Sequence, residues 1–84
     1  MAEMTHEEIE EKMLDLLEEV SGYEEVRDHR DEDLFALGFL DSMAAVELLV
    51  DIEAEFGVAI APTEVEREAM NTVNLIIYQV EQRM

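Results

Sequence analysis

Cysteine is absent from this 84-residue chain, and with it any thiol chemistry the chain could perform alone, so a thiol-dependent role needs a group attached from outside. Basic residues are nearly as scarce, with five Lys and Arg against 23 Asp and Glu for a formal net charge of -18. Binding a phosphate backbone depends on cationic side chains that neutralise it, so nucleic acid is a poor partner and basic protein surfaces are the natural ones. No run of about 18 apolar residues occurs, and no membrane span is expected. The opening MAEMTHEEIEEK lacks both a basic n-region and an apolar h-region, so no signal peptide is read there and a cytoplasmic location is expected.

Size excludes more. The length suits one domain, 1–84, which buries only about 60% of the surface its unfolded chain exposes. That suffices for a helical bundle but not for a dry catalytic cleft on the order of several hundred Å3, which disfavours catalysis by the chain alone. The sequence is nevertheless 49% hydrophobic, with Leu, Ile and Val regularly spaced, which separates it from a disordered acidic tail.

The few glycines and the one proline fall where elements should end. Thr5 and Glu8 form a capping-box pattern, and Ile9, Met13, Leu16, Leu17 and Val20 then follow a helical stripe that Ser21 and Gly22 terminate. From Tyr23 to Asp41 no long periodicity appears. A loop this long must be partly packed, and Leu34, Phe35 and Leu37, between Asp33 as cap and Gly38 as stop, predict one helical turn pinned to the core, with Val26 as a further anchor. A second helix is predicted from Ser42 to Phe56, closed by Gly57. Val58 to Ala61 before Pro62 reads as extended. Thr63 and Glu66 repeat the capping-box pattern and predict a short helix through about Ala69, and Asn71 or Thr72 caps a last helix carrying Val73, Ile76, Ile77 and Val80. The expected fold is all-α: a small bundle of three longer helices and one short one, with a long loop between the first two.

The second helix holds the chemistry. Projected at roughly 100° per residue, Ala45, Leu48, Leu49, Ile52 and Phe56 form one face, while Met43, Val46 and Val50 lie roughly 100–160° from its centre. Glu47 and Asp51 border that second strip on one side and Glu53 on the other. Two readings stand: the core wraps wider around this helix, or the strip is a docking surface for another protein. Ser42 opens the helix. Asp41-Ser42 suits a simple N-cap, but a phosphodiester built on Ser42 would also meet free backbone N–H groups and the positive end of the helix dipole. Asp41 beside a phosphate is repulsive, which leaves it capping the bare helix or being read by a modifying enzyme.

At these residues the sequence resembles the phosphopantetheine-dependent acyl carrier proteins: LGFLDSM is similar to their LGxDSL-type attachment motif, and AAVELLVDIEAEFG continues the match through Glu47, Leu48 and Phe56. The longer run from DLFALGFLDSM to NLIIYQVE is similar to the D-alanyl branch of that family, which serves teichoic acid modification in Gram-positive bacteria. Met70 and Val73 depart from that branch, where Trp and Pro are usual. The resemblance implies an acyl-carrier-like bundle that is no enzyme itself. It implies 4'-phosphopantetheine moved from coenzyme A onto Ser42 by a phosphopantetheinyl transferase, with Asp41 beside it. A D-alanine-carrier ligase would load D-alanine as a thioester, and a membrane acyltransferase would receive it. Met43, Val46 and Val50 then fall where carriers meet partners, with Glu47 and Asp51 matching basic surfaces. Another acyl or peptidyl cargo, from fatty acid or secondary metabolite synthesis, and a cofactor-free acidic interaction module are the alternatives.

Two other chemistries fail on pattern. A serine hydrolase needs a base tied to the nucleophile, and neither His6 nor His29 has a spacing that relates it to Ser42; both are expected to be exposed bystanders. The crowd of Asp28, Asp31, Glu32 and Asp33 offers no calcium-loop register, since none combines acids at alternating positions with a Gly at the sixth and a Glu at the twelfth, and a solvated acidic loop is expected.

Overall fold

The computed structural model describes residues 4–84; Met1 to Glu3, part of the segment scanned for a signal peptide, lie outside the described residues. Three α-helices form the frame, α1 (His6–Ser21), α2 (Ser42–Phe56) and α3 (Val73–Arg83), and no strand occurs among the described residues. The capping box at the start of α1 is complete: the Glu8 N–H donates to Thr5 Oγ1 at 3.1 Å, and the Thr5 N–H donates to Glu8 Oε1 at 3.0 Å. Gly22 ends α1 and Gly57 ends α2, each at positive φ (79° and 70°), where a side chain would be strained.

α1 packs on both α2 and α3. That double contact widens its buried face beyond the expected stripe: Leu14 is fully buried beside Ile9, Met13, Leu16 and Leu17, whereas Val20 is only half-buried. Leu48, Leu49 and Ile52 of α2 and Val73, Ile76, Ile77 and Val80 of α3 complete the helical core. Each such side chain contributes about 1.5–3 kcal/mol by leaving water. Ala45 and Phe56 are half-buried at the edge of the core. No charged or polar residue is buried among those described, so the excess of acid sits entirely on the surface.

The connections differ from expectation at three places. Residues 62–64 form a turn, and a single 3-10 turn, Arg67–Ala69, replaces the expected short α-helix; its N-cap Glu66 makes no side-chain capping bond. The Thr63 pattern has no apolar run behind it to bury a helical face, so nothing offsets the cost of nucleating a helix there. Leu37 is exposed and does not pin the loop; of the three apolar residues expected there only Leu34 is fully buried, with Phe35 half-buried. His29 is half-buried and packs on the Phe39 ring (centroids 5.7 Å apart), which also meets Tyr23 at 5.5 Å. It is a packing residue of the loop. A first 3-10 turn, Glu24–Asp28, buries Val26 completely, as expected of an anchor.

His6 is exposed but has a structural partner. Its Nδ1 lies 2.6 Å from Glu81 Oε2, joining the start of α1 to the end of α3, and its Nε2 lies 3.7 Å from Glu10. The hydrogen bond to Glu81 and then its charge raise the His6 pKa above its ordinary 6.5. A raised folded-state pKa stabilises the fold fully below about pH 6.5, the unfolded value, and the contribution disappears as pH rises through the folded value. Glu81→Gln is therefore expected to lower the melting temperature at pH 6 and to have less effect at pH 8.5. Equal losses at both pH values in thermal melts would contradict this linkage.

Candidate functional site

Ser42 is positioned by the loop that precedes it. Asp33 caps a tight turn: its Oδ1 accepts from the Phe35 and Ala36 N–H groups at 2.9 and 3.1 Å, and its Oδ2 accepts from Asn71 Nδ2 at 3.2 Å. Leu34 then enters the core, and its N–H donates to the Asn71 carbonyl at 2.7 Å, tying the loop to the start of α3. The Leu34 carbonyl in turn accepts from both Phe39 and Leu40 N–H groups, at 2.9 and 3.2 Å, which folds the chain back on itself. Leu40 is buried, so the residue two before Ser42 is fixed in the core. The loop carboxylates are engaged in this work: besides Asp33, Asp31 accepts a short hydrogen bond from Asn74.

Asp41 is the N-cap of α2. Its backbone is extended (φ -129°, ψ -177°), its Oδ1 accepts from the Ala44 N–H at 2.8 Å, and its carbonyl accepts from the Ala45 N–H at 2.9 Å. A helix start leaves its first N–H groups without intrahelical partners. With Ala44 capped, the amides of Ser42 and Met43 remain open at the positive end of the α2 dipole, beside an exposed Ser42 side chain. An anion bonded to Ser42 Oγ is well matched to that setting. Asp41 opposes it only in part, since its carboxylate is already bonded to the Ala44 amide. His6 is hydrogen-bonded to Glu81 and His29 packs on Phe39, and neither is brought to Ser42 by a hydrogen bond.

Beyond Ser42 the two faces of α2 separate as projected. Met43, Val46 and Val50 are 74%, 47% and 64% exposed, against 0–6% for Leu48, Leu49 and Ile52. The core does not wrap around to the second strip. Glu47 and Glu53 are exposed beside it, and Asp51 is half-buried.

Charge is compensated unevenly. Arg27 gathers three carboxylates of α1, with Glu11 at 3.0 Å, Asp15 at 2.6 Å and Glu18 at 2.5 Å; the Glu18 hydrogen bond is the main reason its pKa rises further above the ordinary Arg value, against the opposing effect of burial. Arg30 pairs with Glu10 and Arg83 with Glu64, Lys12 reaches Glu55 at the far end of α2, and Arg67 lies 4.5 Å over the Phe35 ring. The five cations are thus all engaged elsewhere. Glu47, Asp51 and Glu53 have no basic partner among the described residues, which leaves an apolar strip between uncompensated carboxylates directly after Ser42.

The site is thus an exposed helix-start serine next to an apolar strip bordered by carboxylates. Residues 11–77 match the family model described as the phosphopantetheine attachment site, and the chain belongs to that family. It is 41% identical over 75 residues to the D-alanyl carrier protein of Lactococcus lactis subsp. lactis (strain IL1403), covering 89% of this chain and 95% of the relative. The D-alanyl carrier protein of Enterococcus faecalis (strain ATCC 700802 / V583) is 42% identical over 73 residues, covering 87% and 94% of the two chains. That of Lacticaseibacillus casei (strain BL23) is 39% identical over 79 residues, covering 94% and 98%. No helix among the described residues is long and apolar enough to cross a membrane.

Proposed function

We propose that this chain, acting as one domain over 1–84, carries D-alanine as a thioester on a 4'-phosphopantetheine arm bonded to Ser42 Oγ, for transfer to teichoic acids. The observation that carries this reading is the exposed hydroxyl at the first residue of α2, inside the family-matched span of a chain without cysteine. When bound, the arm supplies the terminal thiol that the polypeptide lacks. The relatives named D-alanyl carrier proteins supply the cargo.

The chain's own part is to present and protect an attachment point. Ser42 Oγ would bond to the phosphorus that carries pantetheine as the phosphoanhydride P–O bond of coenzyme A breaks and adenosine 3',5'-bisphosphate leaves, with the Ser42 hydroxyl proton passing to a base of the transferase. The open Ser42 and Met43 amides and the helix dipole would stabilise a phosphate held there. Asp41 holds the helix start. Met43, Val46 and Val50 form the apolar contact for partners, with Glu47 and Asp51 steering basic surfaces towards it. Those partners are a phosphopantetheinyl transferase, a D-alanine-carrier ligase and a membrane acyltransferase, met by a cytoplasmic carrier with an acyl-carrier-like bundle.

The cargo is tested by incubating the holo protein with its cognate ligase, ATP and labelled D-alanine. Label is expected on the protein only when ATP is present, and it should be released by hydroxylamine as expected of a thioester. Absence of label on a confirmed holo protein with active ligase would assign the arm to another acyl or aminoacyl group.

A further inference from the structure

Two asparagines at the start of α3 direct their side-chain amides at the loop that leads to Ser42. Asn71 Nδ2 donates to Asp33 Oδ2 at 3.2 Å, and Asn74 Nδ2 donates to Asp31 Oδ1. Their backbones are engaged with the same segment: the Asn71 carbonyl accepts from the Leu34 N–H at 2.7 Å, and the Asn74 N–H donates to the Arg30 carbonyl at 3.3 Å. Together these bonds clasp residues 30–34 to the first turn of α3.

The clasp is connected to Ser42 bond by bond. The Leu34 carbonyl accepts from the Phe39 and Leu40 N–H groups at 2.9 and 3.2 Å, Leu40 is buried, and Asp41 then caps α2 through the Ala44 N–H at 2.8 Å. On its other side Ser42 has a weaker hold. Residues 41–47 are all exposed or half-buried, and the first buried side chain of α2 is Leu48, six residues or about 9 Å further along the helix. Helix ends fray where packing does not hold them. The location of Ser42 therefore depends on the segment before it, and that segment is tied to α3.

We infer that Asn71 and Asn74 are positioning residues for the modification of Ser42: acting through the loop, they hold its hydroxyl where a transferase can align it with phosphorus. This rests on the reading of Ser42 as the attachment point. Misplacing a reacting group by about 1 Å can cost about 100-fold in rate, so a loosened loop is felt in the chemical step. Docking is held separately. α2 packs on α1 and buries Leu48, Leu49 and Ile52, which keeps Val46 and Val50 presented whether the clasp is open or closed. Loss of the clasp is therefore read in kcat, with KM little changed.

Asn71→Asp tests this by setting a second carboxylate against that of Asp33, with no donor between them. Adding Asp33→Asn restores the bond in the reverse direction: the new amide donates to the new carboxylate, and its oxygen still accepts from the Phe35 and Ala36 N–H groups. With a phosphopantetheinyl transferase of confirmed activity, at a temperature where melts show each variant folded, Asn71→Asp should lower kcat about tenfold with KM within about twofold. The double variant should return to within about threefold of the wild-type kcat. Asn74→Ala removes only an exposed side chain and its bond to Asp31, so it should melt close to wild type and lower kcat about threefold. Unchanged kcat in the folded single variants, a rise in KM with kcat unchanged, or a double variant as slow as Asn71→Asp would overturn the positioning role. A wild-type chain that gains no arm would instead overturn the Ser42 reading beneath it.

Discussion

Val46→Asp is expected to lower transfer and loading about 10- to 100-fold in kcat/KM while leaving helicity intact and the melting temperature within about 4 °C of wild type. A buried apolar anchor at the centre of an interface is commonly worth about 1.4–2.7 kcal/mol, one to two powers of ten, and a carboxylate there adds a charge the partner must desolvate. The fold should tolerate the change for definite reasons. Val46 is 47% exposed and lies off the face that buries Leu48 and Ile52. Its helical neighbours three and four residues away are Ser42, Met43, Leu49 and Val50, so the new carboxylate meets no like charge at helical spacing. Val and Asp also differ little in helix propensity. Exposed substitutions of this kind usually fall within about 0.5 kcal/mol, which corresponds to roughly 2–4 °C for a domain of this size. A melting temperature lowered by 15 °C would show Val46 to be part of the core, and unimpaired transfer and loading would remove the strip from the partner surface.

Much of this site was legible before any coordinates because its signals are local. The Thr5–Glu8 box, the stop at Gly22 and the span Ser42 to Gly57 follow from backbone groups that need a cap and turns that need positive φ, and these read directly from residue type. The division of α2 into a buried and an exposed face follows from its period. What escaped was set by packing over longer distances. Leu14 is buried because α1 meets two helices at once, which a single stripe does not express. Leu34 and Leu37 look alike in a turn too short to have a period, and the one that is buried is the one whose amide is tied to the Asn71 carbonyl at the start of α3. Leu40, the anchor next to Asp41, carried no periodic signal either. His29 had no motif, and its place against Phe39 arises from how the loop folds back.

The same loop explains why a chain with net charge -18 holds a serine in one place. Its few cations are spent where chain segments must be joined: Arg27 and Arg30 fasten the region after α1 back onto Glu11, Asp15, Glu18 and Glu10. None is spent on the strip after Ser42. The distribution of five positive charges therefore both ties the fold together and leaves the carboxylates of the α2 strip without a cation of their own chain among the described residues.

Ser42→Ala is expected to abolish cofactor attachment completely, a larger effect than any substitution around it. The variant removes the oxygen proposed to bond to phosphorus, and no other serine or threonine opens a helix with a free hydroxyl: Ser21 ends α1, the Thr5 and Thr72 hydroxyls are engaged as helix caps, and exposed Thr63 lies in the turn after Pro62. Folding should be preserved, since the cap of α2 is the Asp41 side chain and the Ser42 side chain is exposed. The decisive measurement is the intact mass of the wild-type and Ser42→Ala chains after incubation with coenzyme A and a phosphopantetheinyl transferase. One phosphopantetheine group is expected on every wild-type chain and none on the variant; an unmodified wild type, or an equal gain on Ser42→Ala, would contradict Ser42 as the anchor of this carrier.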